Sequence, residues 1–347
     1  MEKISNPVAT EHRMSANAHG GGRLKYVDIM RGITMILVVY GHMAGEKAVT
    51  PLSGITLALR MPLFFFISGF IAYKDAVFWN KQNYCNRLLN KSRVQLIPTF
   101  VFWGIYSIFI QVIVFPAGYW FTLTLFVIFA IYFTTSFFLH KKGDKPILIT
   151  MAMLAGLLVV FRSQILAFLP NSKYYCINEV ATYLGFFVFG LCFRKYQVKC
   201  HKVLAQHGII AGLFIAFTAL YYVSYYYDGI SFSATAQRYL LGLPAIFIFY
   251  NYFYIHREYW ALDGWISRKL QFIGRRTLDI YMLHYFFIQP SIPWGQRLFT
   301  EYNNDAFVII MYGSLTCVVI LLCLFISSLL RSSSFLAYWL FGLKKTT

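Results

Sequence analysis

Residues 26–45 decide the fold class of this chain, and they read YVDIMRGITMILVVYGHMAG. The run is twenty residues long and mostly apolar, which is the length that an α-helix needs to cross the hydrocarbon core of a bilayer. It nevertheless carries Asp28, Arg31 and His42. Ionisable residues inside a membrane helix are costly and usually functional. The stretch therefore predicts a membrane span with a functional face.

Apolar runs of similar length recur along the other parts of the 347-residue chain, of which 59% is hydrophobic and 13% is charged. A soluble domain has about twice that charged share, and a disordered chain has far less apolar sequence. A nucleic-acid-binding protein is also excluded, because the basic residues stand between apolar runs rather than among polar residues. The runs are continuously apolar, so they predict helices and not the alternating strands of a barrel.

The expected fold class is therefore all-α, a polytopic membrane protein with about ten spans. We place the spans at 26–45, 54–73, 94–115, 120–139, 147–162, 176–193, 204–226, 237–255, 277–296 and 306–330, of which the fifth is short. Three parts follow from these boundaries: a flexible cytoplasmic arm at 1–25, a transmembrane domain at 26–330 and a cytoplasmic tail at 331–347. The polar arm lacks the apolar core of a cleavable signal peptide.

The basic residues are distributed unequally between the two sides of the predicted membrane. The net charge is +18, and 24 of the 31 Lys and Arg residues fall on the side that holds both termini. Only Lys47, Arg162, Lys173 and Arg297 fall in the opposite loops. Because basic loops stay in the cytoplasm, the asymmetry predicts a multi-pass protein of the plasma (inner) membrane with both termini cytoplasmic.

The first span carries a polar stripe. Arg31 and His42 are eleven residues apart, which is three helical turns plus roughly 20°, so both lie on one face with a rise of about 16 Å between them. Arg31 is then near the cytoplasmic end and His42 near the outer end. Asp28 lies three residues before Arg31 and can pair with it. The alternatives are that Asp28 and Arg31 only anchor the helix at the interface, and that His42 bonds a neighbouring helix.

Other spans also carry ionisable residues, and four of these are candidate site residues. Arg60, Glu179 and Arg238 are expected in the outer half of the membrane, at a depth similar to that of His42, where a His–carboxylate pair suits general-base chemistry. Each can instead lie at the interface, with the Arg60 side chain reaching outward to water. His284 lies in the ninth span, where it is either functional or a structural hydrogen-bond donor. The six Cys residues include no Cys-x-x-Cys pair, so we expect no metal site.

Five sequence blocks resemble acyltransferase family 3, whose members are integral-membrane acyltransferases that include bacterial enzymes modifying surface carbohydrates. Arg31 and His42 reproduce the family's spacing of an Arg, ten residues and a His. The other blocks, in order, are Met61-Pro-Leu-Phe-Phe-Phe-Ile-Ser-Gly-Phe70, the basic segment from Arg87 to Pro98, Tyr119-Trp120-Phe121, and the segment from Phe272 to His284. The family usually has a closer Arg pair before the Pro, whereas here Arg87 and Arg93 are six apart and Gln95 stands where a basic residue is common.

The resemblance implies a transfer of an acyl group, usually acetyl, from cytoplasmic acyl-CoA to a hydroxyl of a cell-surface or envelope carbohydrate. It implies that Asp28, Arg31, Arg87, Lys91 and Arg93 bind the donor. His42 is then the general base, or the residue that carries the acyl group transiently. Arg60 would stabilise the oxyanion, and Glu179 would orient His42 or contact the acceptor. Trp120, Arg238 and His284 would bind the acceptor, and the alternative for Trp120 is a place in the aromatic belt at the membrane interface. Acyl-CoA is a co-substrate, so no bound cofactor, metal or nucleic acid is expected.

A membrane transporter, which exports a glycan or moves a small solute with protons, is the rival function. His42 and Glu179 can titrate and would serve such a transporter. The cluster of basic residues at one mouth and the stripe from Arg31 to His42 favour the acyltransferase. A non-catalytic scaffold has little support, because so many ionisable residues lie within the spans.

Overall fold

The computed structural model of the chain describes residues 23–44, 51–74, 77, 79–111, 118–168, 176–227, 232–262, 264–288 and 304–343. These residues form helices and no strands. The helices are α1 (Lys25–Ala44), α2 (Pro51–Ala72), α3 (Lys81–Ile110), α4 (Trp120–Leu139), α5 (Asp144–Val160), α6 (Arg162–Phe168), α7 (Ile177–Lys195), α8 (Gln197–Leu204), α9 (His207–Tyr226), α10 (Ala234–Ile255), α11 (Arg257–Ala261), α12 (Trp265–Arg275), α13 (Thr277–Leu283), α14 (Asp305–Ser332) and α15 (Ser334–Phe341).

Among the described residues, seven helices are long and apolar enough to cross a membrane: α1, α2, α3, α4, α7, α9 and α14. The pair α5 and α6, bent by 68°, brings the number to eight if it forms one span. The prediction of an all-α polytopic membrane protein is confirmed. The bend also explains why the fifth predicted span is short.

Two of the ten predicted spans differ in character from the others. The eighth corresponds to α10, which is 22 residues long but carries Gln237, Arg238 and Asn251 along its length. The ninth begins with α13, which ends at Leu283, and helix resumes at 285–288. The rest of the ninth span lies outside the described residues. So do residues 1–22 of the predicted arm and the last four residues of the predicted tail.

Polar contacts define the two ends of the helix bundle. The Tyr73 hydroxyl donates to the Asp144 carboxylate at 2.7 Å, and the Lys195 ammonium pairs with the same group at 2.8 Å. We call the end of the bundle that holds these two contacts the basic end. The start of α1 and the end of α7 also lie there. The opposite end, which holds His42 and His284, is called the histidine end.

Glycines let the central helices approach each other closely. A Cβ atom added at Gly69 of α2 would overlap the Phe187 carbonyl of α7, and one added at Gly190 of α7 would overlap the Phe66 carbonyl of α2. Gly32 of α1 and Gly274 of α12 make a similar backbone contact. Small residues are common at helix interfaces in membranes, because there the attraction comes from close packing rather than from the hydrophobic effect.

Replacing Gly69 by Ala should test this packing. The added methyl group has no room beside the Phe187 backbone, so Gly69→Ala should destabilise the protein by about 1–3 kcal/mol. The matched control is Gly104→Ala in α3, where nothing lies within 4 Å of an added Cβ atom. The control should be neutral or slightly stabilising, since Ala favours helix. Thermal unfolding in detergent compares the two, and equal melting temperatures would contradict the packing argument.

A buried ion cluster fastens α13 to α14. The Asp279 carboxylate is 1% exposed and accepts two hydrogen bonds from the Arg331 guanidinium, at 2.6 and 2.7 Å. Arg276 donates to it at 3.1 Å, and the Ser327 hydroxyl also donates to it. A buried carboxylate needs such partners, because an unpaired charge is unstable in an apolar interior.

The segment predicted as a cytoplasmic tail contains α15, which packs against α3. Phe341 is 1% exposed and its ring lies 5.9 Å from that of Phe102. Gly342 then ends the helix in the left-handed region, at φ 63°, with its Cα against the backbone of Arg93. This part of the tail is therefore joined to the bundle.

Candidate functional site

Two histidines from different helices face each other at the histidine end. His42 is in the last turn of α1, and its ring centroid lies 5.4 Å from that of His284. The Tyr285 ring packs against both, at 5.4 Å from His42 and 4.1 Å from His284. The side chain of His42 is partly exposed, whereas that of His284 is fully buried. Of the two residues, His42 is therefore the one with some exposure.

Arg60 of α2 lies next to the same turn of α1. Its guanidinium occupies the space in which Gly41 would otherwise carry a Cβ atom, so the absence of a side chain at Gly41 admits it. The Arg60 charge acts on both His42 and Tyr285. The structure thus brings Arg60 to His42, as their expected depths suggested.

A cavity of about 220 Å³ lies between the basic end and the two histidines. Met35 and Val38 of α1 line it, one and two turns beyond Arg31, and His42 follows about one turn after Val38. Tyr281, three residues before His284, closes the far wall. The Arg31 face of α1 is thus the wall that leads from the basic end toward His42.

The mouth of the cavity is polar and its interior is apolar. Arg31 and Lys91 contribute positive charge to the lining, and Gln95 and Thr277 add neutral polar groups. The interior is lined by apolar side chains that include Met61, Phe64, Phe121, Leu125 and Phe129. A ligand that combines anionic groups with a thin apolar arm matches this distribution.

The expected pairing of Asp28 with Arg31 does not form. The Arg31 guanidinium donates to the Thr277 hydroxyl at 2.8 Å, while the Asp28 carboxylate accepts from Arg23, including a bond of 3.1 Å from Nη2. Arg23 lies just before α1 and reaches Asp28 in the first turn. Arg31 is thereby directed to the cavity, and Asp28 does not line it.

The three basic residues predicted on α3 have separate positions. Lys91 lines the cavity, with its ammonium 3.5 Å from the centroid of the Phe129 ring. Arg87 donates to Asn83 at 3.0 Å and lies over the Trp79 ring, and Arg93 donates to Asn90 at 3.2 Å. Neither Arg87 nor Arg93 lines the cavity. Of these three residues, Lys91 is therefore the one that lines the cavity.

Trp120, Arg238 and Glu179 gather around Tyr183 of α7, a residue that the sequence did not single out. The Trp120 ring stacks on Tyr183 at 5.6 Å, and the Arg238 guanidinium lies 5.7 Å from the centre of the Tyr183 ring. The charges of Glu179 and Arg60 also act on Tyr183. Glu179 is hydrogen-bonded by Asn178 at 3.4 Å and contacts neither ring of the histidine pair within the described structure.

Hydrogen bonds between α4 and α13 hold the cavity wall in place. The Tyr281 hydroxyl donates to the Gly118 carbonyl at 2.8 Å and accepts from the Phe121 amide at 3.2 Å. The Tyr119 hydroxyl donates to the Met282 carbonyl at 3.0 Å. Gly118 has φ +79°, a conformation that glycine adopts without strain. The aromatic block before α4 thus fixes the segment that carries His284.

The arrangement suits chemistry on an elongated, anionic ligand. The protein supplies a proton acceptor, His42, at the far end of the site. Among the described residues, no group of three His, Cys, Asp or Glu side chains is placed to hold a metal ion. Residues 24–330 match a family model described as an acyltransferase domain. No curated protein and no solved structure matches the chain significantly.

Proposed function

The chain belongs to acyltransferase family 3 and is a membrane acyltransferase, and we propose that it transfers an acyl group from acyl-CoA to a hydroxyl of a carbohydrate. The observation that carries this proposal is the cavity whose mouth holds Arg31 and Lys91 and whose lining leads along α1 toward His42. CoA combines phosphates with a long, thin pantetheine arm. Arg and Lys side chains at the mouth suit the phosphates, and the apolar interior suits the arm.

The acyl thioester would lie near His42 at the inner end of the cavity. His42 takes the proton of the acceptor hydroxyl, and the hydroxyl oxygen forms a bond to the thioester carbon. Arg60, beside Gly41, stabilises the negative charge that develops on the former carbonyl oxygen. The carbon–sulfur bond then breaks, and the thiolate takes the proton from His42, so CoA leaves as the free thiol.

The acceptor would lie on the side of Arg60 that faces Tyr183. Trp120 and Tyr183 present aromatic rings there, and Arg238 and Glu179 add hydrogen-bonding groups. Sugar rings pair an apolar face with hydroxyl groups at the edge, which suits such a lining. We propose acetyl as the acyl group and a surface or envelope polysaccharide as the acceptor, both on the strength of the family.

The protein would lie in the plasma (inner) membrane. The distribution of basic residues supports an orientation in which the basic end and both termini are in the cytoplasm. In that orientation Arg31 and Lys91 meet the cytoplasmic pool of acyl-CoA. The histidine end then faces outward, where a surface carbohydrate is available.

Removing the charge at the cavity mouth should weaken donor binding. Arg31→Ala and Lys91→Ala should each raise the KM for acyl-CoA about tenfold or more and change kcat less, because a charge-assisted contact to phosphate is lost. Arg268→Ala, which removes an exposed charge on α12, is the control and should leave the KM unchanged. Arg87→Ala and Arg93→Ala should have smaller effects than Arg31→Ala. An unchanged KM in Arg31→Ala would remove that residue from the donor site.

A thermal-shift experiment with CoA separates the acyltransferase from the transporter. Purified protein in detergent should melt at a higher temperature as CoA is added, because a ligand that binds the folded state stabilises it. A glycan or solute transporter has no reason to bind CoA. If CoA does not shift the melting temperature and no acyl transfer is detected from acetyl-CoA, the proposed function is wrong.

A further inference from the structure

The Nε2 atom of His284 is a buried acceptor without a hydrogen bond. The side chain is 0% exposed, and Nε2 has no hydrogen-bond partner among the described residues. Buried polar atoms nearly always have partners, so an exception in the interior of a site points to a group that binds it in another state.

The other ring nitrogen fixes which proton form His284 adopts. Nδ1 lies 2.7 Å from the carbonyl oxygen of Tyr281 and 3.1 Å from that of Ile280. A carbonyl oxygen can only accept, so Nδ1 carries the proton and donates it. In the neutral ring Nε2 then has a free lone pair and can only accept. The unpaired atom is therefore a hydrogen-bond acceptor set into the site by the backbone of α13.

His42 is the group placed to supply the missing hydrogen. Its ring centroid is 5.4 Å from that of His284, and its partly exposed side chain stands at the end of α1. The Tyr285 ring packs against both histidine rings. The separation of the two rings is short enough for an N–H group of His42 to bond Nε2 of His284 when the two nitrogens face each other.

We propose that His284 is a positioning residue, whose Nε2 accepts a hydrogen bond from an N–H group of His42. The second nitrogen of His42 then carries no proton and faces the hydroxyl group of the carbohydrate that receives the acyl group. This proposal rests on the proposed function and defines how its base is prepared. A neutral imidazole has one N–H group and one lone pair, so engaging the N–H group determines where the lone pair points.

The proton balance of the reaction is unchanged by this assignment. The bare nitrogen of His42 takes the proton of the hydroxyl as the new carbon–oxygen bond forms, and the same proton passes to the thiolate as the carbon–sulfur bond breaks. His284 keeps its own proton on Nδ1 throughout. Its Nε2 holds the N–H of His42 and stabilises the imidazolium that exists between the two transfers.

Two substitutions of His284 separate this role from a structural one. The amide group of Gln reaches the position of Nε2, whereas the amide group of the shorter Asn reaches only the position of Nδ1. His284→Gln should therefore keep an acceptor for His42, and its kcat should stay within about tenfold of wild type. His284→Asn should lose about 100-fold in kcat, the upper range for loss of a residue that orients a functional histidine. The KM for acetyl-CoA should stay constant in both, since His284 does not line the cavity.

A structural role predicts the reverse order. If the bonds from Nδ1 to the two carbonyls are all that His284 provides, Asn should retain at least as much kcat as Gln, and that result would overturn the proposal. Melting temperatures in detergent show whether both variants fold. If either does not, wild-type protein in bilayers with 15N-labelled histidine decides, because the proposal expects a coupling across an N–H···N bond between two imidazole rings. Absence of that coupling also overturns it.

A different result would show that the proposed function itself is wrong. It would appear as a wild-type protein that transfers no acyl group from acetyl-CoA, and this proposal would fail with it. An active wild-type protein whose His284→Asn and His284→Gln variants have equal kcat values would refute the positioning role alone.

Discussion

His42→Ala is expected to lower kcat for acyl transfer by about 100-fold to 10,000-fold, the range that a positioned general base contributes. The imidazole lies about one turn beyond Val38, the last residue of α1 that lines the cavity, with Arg60 beside the same turn and the His284 ring 5.4 Å away. Without it, the acceptor hydroxyl keeps its proton and attacks the thioester slowly. The measurement is the initial rate of label transfer from radiolabelled acetyl-CoA to purified polysaccharide.

The control for this variant is His207→Ala. His207 is exposed at the start of α9, so the same chemical change there should leave the rate unaltered. The His42→Ala protein should still bind CoA, since its ring does not line the cavity, and CoA should therefore still raise its melting temperature. Normal transfer by a folded His42→Ala protein would contradict the assignment of His42 as the base.

Asp279→Ala is expected to have the largest effect on stability. The substitution leaves the Arg331 and Arg276 guanidinium groups without their shared carboxylate, and breaking a buried pair typically costs 3–5 kcal/mol. Both guanidinium groups retain partial access to solvent, at 22% and 23% exposure, so we expect the lower end, about 3 kcal/mol. The measurement is the melting temperature of the purified protein in detergent.

The matched control for the ion cluster is Asp305→Ala. Asp305 is an exposed carboxylate in the first turn of α14, so its removal should cost less than about 1 kcal/mol. A second check removes the Asp279 and Arg331 charges together: Asp279→Leu with Arg331→Met should be more stable than Asp279→Ala, because Arg276 alone is then left without its carboxylate, rather than Arg276 and Arg331. If Asp279→Ala and Asp305→Ala melt at the same temperature, the cluster does not fasten α13 to α14.

Much of the fold could be predicted from the sequence, because the apolar runs that a bilayer requires are long and continuous. The helical period of α1 predicts one face from Arg31 to His42, and the part of this face that holds Arg31, Met35 and Val38 lines the cavity. The fifth and ninth spans were less predictable. Their helices are interrupted at Phe161 and at His284, and the apolar composition does not mark either position.

The contacts between the site residues were harder to predict than the depth of each residue in the membrane. Sequence spacing gave Arg60, Glu179 and Arg238 similar depths, but which of them approaches His42 depends on how the helices cross. Arg60 does so because Gly41 leaves room for it, whereas Glu179 and Arg238 surround Tyr183. Tyr183 itself gives no sequence signal, since it is one of 26 Tyr residues.

Local spacing also gave the wrong partner for one charge. Asp28 and Arg31 share a helix face, yet Asp28 binds Arg23, which precedes the helix, and Arg31 binds Thr277 of α13. A side chain from a distant segment competes with a neighbour at i+3, and only the packed structure shows which one prevails. The outcome frees Arg31 to line the cavity.

Val38→Phe tests whether the cavity carries the acyl arm from Arg31 and Lys91 toward His42. Val38 lines the cavity one turn before His42, so a phenyl ring there should fill the passage. We predict that purified Val38→Phe protein is still stabilised by CoA in a thermal shift but transfers no label from acetyl-CoA to polysaccharide. Wild-type transfer by this variant would show that the acyl group reaches its acceptor by another route and that the cavity does not carry it.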